Sequence, residues 1–148
     1  MYKRILVAVD GSNTSNLALQ EAVKLARQMQ AQLRIVTVVK EIMHGGVAEY
    51  VDTDEVHKAV VRYGNESLKN AKAAAHKAGV DAETKLIESK DLVHRVADLI
   101  SQEADAWPAD LIVIGTHGRH GFSHLIMGSV AEGVLRVAAK PVLLIRGK

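Results

Sequence analysis

Two short runs of this chain carry no polar residue, and they leave few folds open. Ile5-Leu6-Val7-Ala8-Val9 and Leu111-Ile112-Val113-Ile114 are apolar at every position. A strand with one wet face alternates apolar and polar residues. A run without alternation suits a strand covered on both faces, as in a parallel sheet held between two layers of helix. The first strand is predicted over Lys3 to Val9 and the later one over Leu111 to Ile114. Leu33 to Val39 (LRIVTVV) and Val142 to Arg146 (VLLIR) read as two more strands.

The intervening segments read as helices. Asp10-Gly11-Ser12 forms a sharp turn, and Ser12 is placed to cap a helix running to about Met29. Leu19, Ala22, Val23, Ala26 and Met29 make its inward stripe. Lys40 to Thr53, with Gly45-Gly46, reads as an exposed loop. A long helix is expected from Asp54 through Ala78, with Val56, Val60, Leu68, Ala71 and Ala75 in phase and Gly79 as its C-terminal glycine. Val80 to Ile87 alternates and suggests a half-exposed edge strand. Asp91 is expected to cap a helix from Leu92 to about Ala104, with Val93, Val96, Ala97 and Ile100 inward; Trp107-Pro108 then interrupts the chain. A last helix starts near Ser129, with Val130, Val134, Leu135 and Ala138 three or four apart. The order β-α-β-α-β-α-β-α-β predicts a doubly wound α/β sheet with right-handed crossovers, one domain over residues 1–148.

Composition removes several function classes. With 19 basic and 17 acidic residues the charge is +2, and it is dispersed, which speaks against nucleic acid. Aromatics are 3% of the chain, too few for base-stacking platforms. There is no cysteine, hence no disulfide and no thiolate metal site, a composition that fits a reducing compartment. No run reads as a signal peptide or reaches membrane-spanning length, so the expectation is a cytoplasmic protein with no membrane partner.

In doubly wound sheets ligands bind beyond the carboxyl ends of the strands. Three segments meet that description: Asp10 to Ser12, the residues around Val38 and Val39, and Gly115 to Ser129. The last has glycines at 115, 118, 121 and 128, with Ser129 directly after. Glycine lets the backbone turn and approach a ligand, and the free N–H groups of a helix start favour anions. Phosphate binding is one reading; a loop whose glycines serve only turns is the other. The spacing is neither a Walker A motif nor GxGxxG. Ser129 is placed to cap the helix or to donate its hydroxyl to a phosphate. Asp10 could face ribose hydroxyls or a metal, or form an Asx turn.

His117, His120 and His124 invite a metal reading, but Gly118 and Gly121 oppose the helix their spacing would need, and no acidic residue lies between Thr116 and Ala131. Solvated or phosphate-facing histidines are preferred, and the metal ligands stay undefined. Arg119 is either a phosphate contact or a solvated side chain. A G-x-S-x-G nucleophile elbow is absent.

Three stretches, YKRILVAVDGS, ADLIVIGTHGRHG and GSVAEGVLRVAAKPVLLIR, carry a resemblance to the universal stress protein family across essentially the whole chain. The signature G-x2-G-x9-G-S resembles that of its ATP-binding branch. The resemblance implies a five-stranded parallel sheet of order 3-2-1-4-5 with helices on both faces, an adenine nucleotide α-hydrolase-like fold. It implies that Ala8 and Asp10 line the ribose and adenine side, and that Val38 meets adenine through its backbone. Gly115, Thr116, His117, Gly118, Arg119, His120 and Gly121 would wrap ribose and phosphates, and Gly128, Ser129 and Val130 would hold phosphates. The implied ligand is ATP or a related adenine nucleotide, with Mg2+ or Mn2+ as companion. The implied role is a stress sensor or regulator acting on an unidentified client. Slow ATP hydrolysis, autophosphorylation, and action through protein contacts alone are the alternatives. The apolar Val142-Leu143-Leu144-Ile145 strand near the chain end is expected at a sheet edge, where family members pair into homodimers.

Overall fold

The computed structural model describes residues 1–40, 53–89, 95–117 and 127–147. The sheet contains β1 (Arg4–Ala8), β2 (Gln32–Lys40), β3 (Glu83–Ser89), β4 (Leu111–Gly115) and β5 (Val142–Ile145). Its order is β3-β2-β1-β4-β5, and the paired strands run parallel. The helices are α1 (Asn13–Met29), α2 (Thr53–Lys77), α3 (Val96–Ala106) and α4 (Ser129–Val137). This is the doubly wound fold expected from the apolar runs.

Two apolar cores sandwich the sheet. Ile5, Val7, Ile35 and Val113 point to one face, under Ala22 and Ala26 of α1 and Leu68, Ala71 and Ala75 of α2. Leu6, Val36, Ile112 and Ile114 point to the other, under Ala97, Ile100 and Ala104 of α3 and Val134 of α4. Successive residues of β1 and β4 therefore enter opposite cores, which is why neither run alternates. The four residues of β5 are half-buried.

Local signals set most helix ends. Ser12 Oγ accepts the Ser15 N–H at 3.2 Å and caps α1. Gln30 closes α1 at φ 54°, with its N–H shared between Ala26 and Arg27 carbonyls. Gly79 follows α2 at φ +89°, in the left-handed region where a β-carbon is costly.

Three expectations are corrected. The alternation from Val80 begins before the strand: β3 starts at Glu83, while Val80 and Ala82 are buried in the connection. The N-cap of α3 is Arg95 rather than Asp91, because Asp98 Oδ2 accepts the Arg95 backbone N–H at 3.1 Å; Asp91 to His94 lie outside the described residues. In α4, Ala131 and Val134 face the core while Leu135 is 44% exposed, since α4 turns Gly133 toward Ala97 of α3.

One buried acid sits near the amino edge of the sheet. Glu103 receives Arg34 Nη1 at 2.6 Å and Lys85 Nζ at 2.9 Å, and Arg34 also reaches Glu83 at 2.6 Å. The Arg34 guanidinium stacks over Trp107, 4.8 Å from the ring centroid. With both carboxylate oxygens bonded, the charge is tolerated in a largely dry place.

Candidate functional site

The carboxyl edge of the sheet is where the described members of the predicted set lie. Asp10 follows β1, and its Oδ1 accepts the Ser12 N–H at 2.9 Å, which is an Asx turn. Ser15, buried at 4% exposure, points its Oγ back into this turn and accepts the Asp10 N–H at 3.0 Å. Gly11 takes φ +83° in this turn, so the carboxylate is fixed by its own backbone. Ala8 ends β1 with its side chain in the core under α3 and α4, and Val38, half-buried near the end of β2, packs against the same core. Thr37 ties the two strand ends together by donating to the Val9 carbonyl at 2.7 Å.

The end of β4 is held from three sides. A β-carbon on Gly115 would stand 2.8 Å from Thr14 Cγ2 and 3.2 Å from the Thr14 carbonyl carbon, so only glycine lets α1 approach β4 this closely. The Thr116 N–H donates to the Ile145 carbonyl at 2.9 Å. Thr116 Oγ1 and His117 Nδ1 are 2.9 Å apart, a hydrogen bond whose donor follows from the imidazole tautomer. Gly118, Arg119, His120 and Gly121 lie outside the described residues, as does His124.

The loop returns to its starting point. The Gly128 N–H donates to the Thr116 carbonyl at 2.7 Å, setting the start of α4 directly against the end of β4. Gly128 is the N-cap, at φ −62° and ψ 153°. Ser129 is therefore the first residue inside the helix and not its cap, and the glycine is not required by a positive φ. It is required by space: a β-carbon there would meet the Thr116 carbonyl oxygen at 3.0 Å. The Glu132 N–H, bonded to the Gly128 carbonyl at 3.0 Å, makes the first bond within α4. The N–H groups of Ser129, Val130 and Ala131 thus have no acceptor inside the helix, and they share its positive end. Such a cradle fits a phosphate or another anion. Among the described residues no group of three histidine, aspartate or glutamate side chains is arranged to hold a metal.

Two contacts left no local signal in the sequence. Thr14 abuts Gly115, and the Tyr63 hydroxyl would lie 2.9 Å from a β-carbon on Gly11. Both join residues distant along the chain. Ser15 was legible in principle, as the second serine of an S-x-x-S helix start.

Comparison with known proteins places this arrangement. The family model for the universal stress protein family matches residues 1–146. The chain belongs to the universal stress protein family. A universal stress protein of Bacillus subtilis is 34% identical over 154 residues, spanning 99% of this chain and 100% of its own length. A family member from Burkholderia pseudomallei has a solved structure with TM-score 0.77 and 35% identity, covering 97% of this chain and 96% of that one. A universal stress protein from Archaeoglobus fulgidus, solved in complex with dAMP, has TM-score 0.68 and 30% identity, covering 97% of this chain and 98% of its own. The family match spans residues 1–146, and so includes both limbs of the glycine loop.

Proposed function

We propose that this universal stress protein is a cytoplasmic regulator that binds ATP or a related adenine nucleotide at the carboxyl edge of its sheet. The observation that carries the reading is the 2.7 Å bond from Gly128 to Thr116, which presents the N–H groups at the start of α4 beside the end of β4. The dAMP complex of the Archaeoglobus relative supports an adenine nucleotide as the ligand class. Ala8, Asp10 and Val38 take the base and ribose side. Gly115, Thr116, His117, Gly118, Arg119, His120 and Gly121 wrap the ribose and phosphates, and Gly128, Ser129 and Val130 hold the phosphates. A Mg2+ or Mn2+ ion accompanying a triphosphate supplies charge neutralisation there.

A second reading, slow hydrolysis or autophosphorylation, draws on one observation. The Thr116 hydroxyl is hydrogen-bonded to the His117 imidazole, a hydroxyl paired with a potential base. Acid-quenching the purified protein and identifying the released nucleotide separates the readings. ATP supports storage and sensing, ADP supports turnover, and a chain that carries no nucleotide and gives no heat with AMP or ATP in calorimetry sinks both.

The Asx turn gives a sharper test of Asp10. Asp10→Asn keeps an oxygen acceptor for the Ser12 N–H but removes the charge. If the carboxylate supports a metal, ATP affinity measured with Mg2+ should fall by about tenfold, or 1.4 kcal/mol, while AMP affinity without metal stays near the parent value. Equal losses for both ligands would assign Asp10 to the sugar instead.

The homodimer is proposed on β5, the last strand of the sheet order. The Pro141 and Ile145 carbonyls accept bonds from β4, so the backbone groups of Val142 and Leu144 face away from it. Pairing with the same strand of a second copy would satisfy them and produce a two-fold interface. Leu144 is half-buried against the core under α3 and α4. Leu144→Lys is expected to sediment as a monomer where the parent is a dimer, with a modest drop in thermal stability. A lysine variant that remains dimeric would exclude this edge.

A further inference from the structure

Helices α1 and α2 cover the same face of the sheet, yet they leave a groove of about 530 Å3 between them. Leu19 and Val23 of α1 and Ala74 and Ala78, at and just past the end of α2, supply its apolar lining. The alanines are too short to close the gap, while Leu19 and Val23, each 7% exposed, stay anchored in the core. The lining also includes Lys24 and Arg27 and, among the described residues, no acid. The nearest offset on α1 is Glu21, whose carboxylate is 3.9 Å from Lys24 with both side chains exposed, a pair that neutralises little in water. From Lys69 to Ala78 the adjoining stretch of α2 carries Lys69, Lys72 and Lys77 and no acid, though these lysines stand outside the groove lining.

The geometry points to a second ligand site, between α1 and α2, that takes a small amphiphile: an alkyl chain along Leu19, Val23, Ala74 and Ala78, and an anionic head on Lys24 and Arg27. The size selects the occupant. The volume falls within the roughly 300–1,000 Å3 of small-ligand pockets. A stably docked protein would need on the order of 800 Å2 from each partner, far more than these few side chains offer. The α1 residues from Leu19 to Gln28 give the groove a wall about 13 Å long at 1.5 Å per residue, room for a medium-length chain. Charge selects the head group: a cationic amphiphile would meet Lys24 and Arg27 with like charge. Because α1 starts at the carboxyl edge and descends toward the amino edge, this groove lies away from Gly128 and Thr116. It therefore stands independently of the nucleotide reading.

The test is a titration of the full chain with dodecanoate below its micelle-forming concentration, followed by calorimetry and by amide chemical shifts. Expected are a single saturating site and shifts concentrated at residues 19–28 and 74–78. Dodecyltrimethylammonium should bind at least about tenfold more weakly, and Lys24→Glu with Arg27→Glu should weaken dodecanoate by a similar factor. Ala78→Trp, at an exposed position that tolerates bulk, should fill the groove and abolish binding. Non-saturating uptake, shifts centred on Leu135 and Val137, equal affinity for the cationic head, or indifference to Ala78→Trp would each overturn the site. A glutamate-flanked amphipathic helical peptide that saturates the same amides when dodecanoate does not would overturn the ligand class and assign the groove to a protein.

Discussion

Gly128→Val is expected to fold and to lose nucleotide binding by more than about a hundredfold, or 2.7 kcal/mol. Backbone strain is not the cause, because φ −62° and ψ 153° are open to any residue. The cause is contact. A β-carbon at this position would lie 3.0 Å from the Thr116 carbonyl oxygen and 3.5 Å from His117 Cα. Both neighbours are backbone, and Thr116 is itself tied to Ile145 at 2.9 Å. Neither can swing aside as a flexible side chain would. The γ-methyl groups of valine extend the clash, so the start of α4 must move away from β4. Donors that must lie within about 2.7–3.2 Å of phosphate oxygens then lose their alignment. The accompanying loss of stability should be about 1–3 kcal/mol, typical of overpacking. Calorimetry with AMP and with ATP plus Mg2+ measures the first effect, and circular dichroism checks the fold. A folded Gly128→Val that binds nucleotide like the parent would remove the glycine loop from the site, and the proposed function with it.

Gly133→Val should be the most destabilising of the glycine replacements in α4, at about 3 kcal/mol. For a chain of this size that is a fall of roughly 6–12 °C in melting temperature. Helix propensity points the other way, since glycine inside a helix is about 1 kcal/mol worse than alanine. The tertiary contact overrides it. A β-carbon on Gly133 would stand 2.6 Å from Ala97 Cβ, and Ala97 is 4% exposed within α3. Carbon atoms pack best at about 3.5–4.0 Å, and an alanine methyl cannot rotate away. The two helices must part by about an ångström, opening the core beneath Val134 and Ile100. Even Gly133→Ala should therefore lose about 1 kcal/mol in thermal and urea denaturation. A rise in stability for the alanine variant would mean that α3 and α4 do not pack this closely.

The elements were legible because each rests on interactions within a few residues. The unbroken apolar runs of β1 and β4 reflect burial on both faces, and the cap at Ser12 is closed by Ser15 N–H, three positions on. Gly79 marks a left-handed turn that other residues disfavour. Where local patterns were misread, a local competitor explains it. Asp98 caps the backbone of Arg95 and starts α3 later than Asp91 suggested. The alternation of Val80 and Ala82 records burial in a connection, because exposure follows a two-residue rhythm there without strand pairing.

By itself the sequence determined the order of strands and helices, the parallel sheet and the two limbs of the glycine loop, since periodicity and caps act along the chain. Only the tertiary structure decided what the glycines and polar residues do. Gly128 serves the approach of α4 to Thr116, Gly115 the approach of α1, and Gly133 the packing of α3 on α4. Asp10 shapes a turn with Ser12 and Ser15 through its Oδ1 and its backbone N–H, and Glu103 is buried between Arg34 and Lys85. A pattern along the chain records how much of a residue is covered. It does not record which distant atom covers it, and short-range repulsion and hydrogen bonding depend on that atom alone.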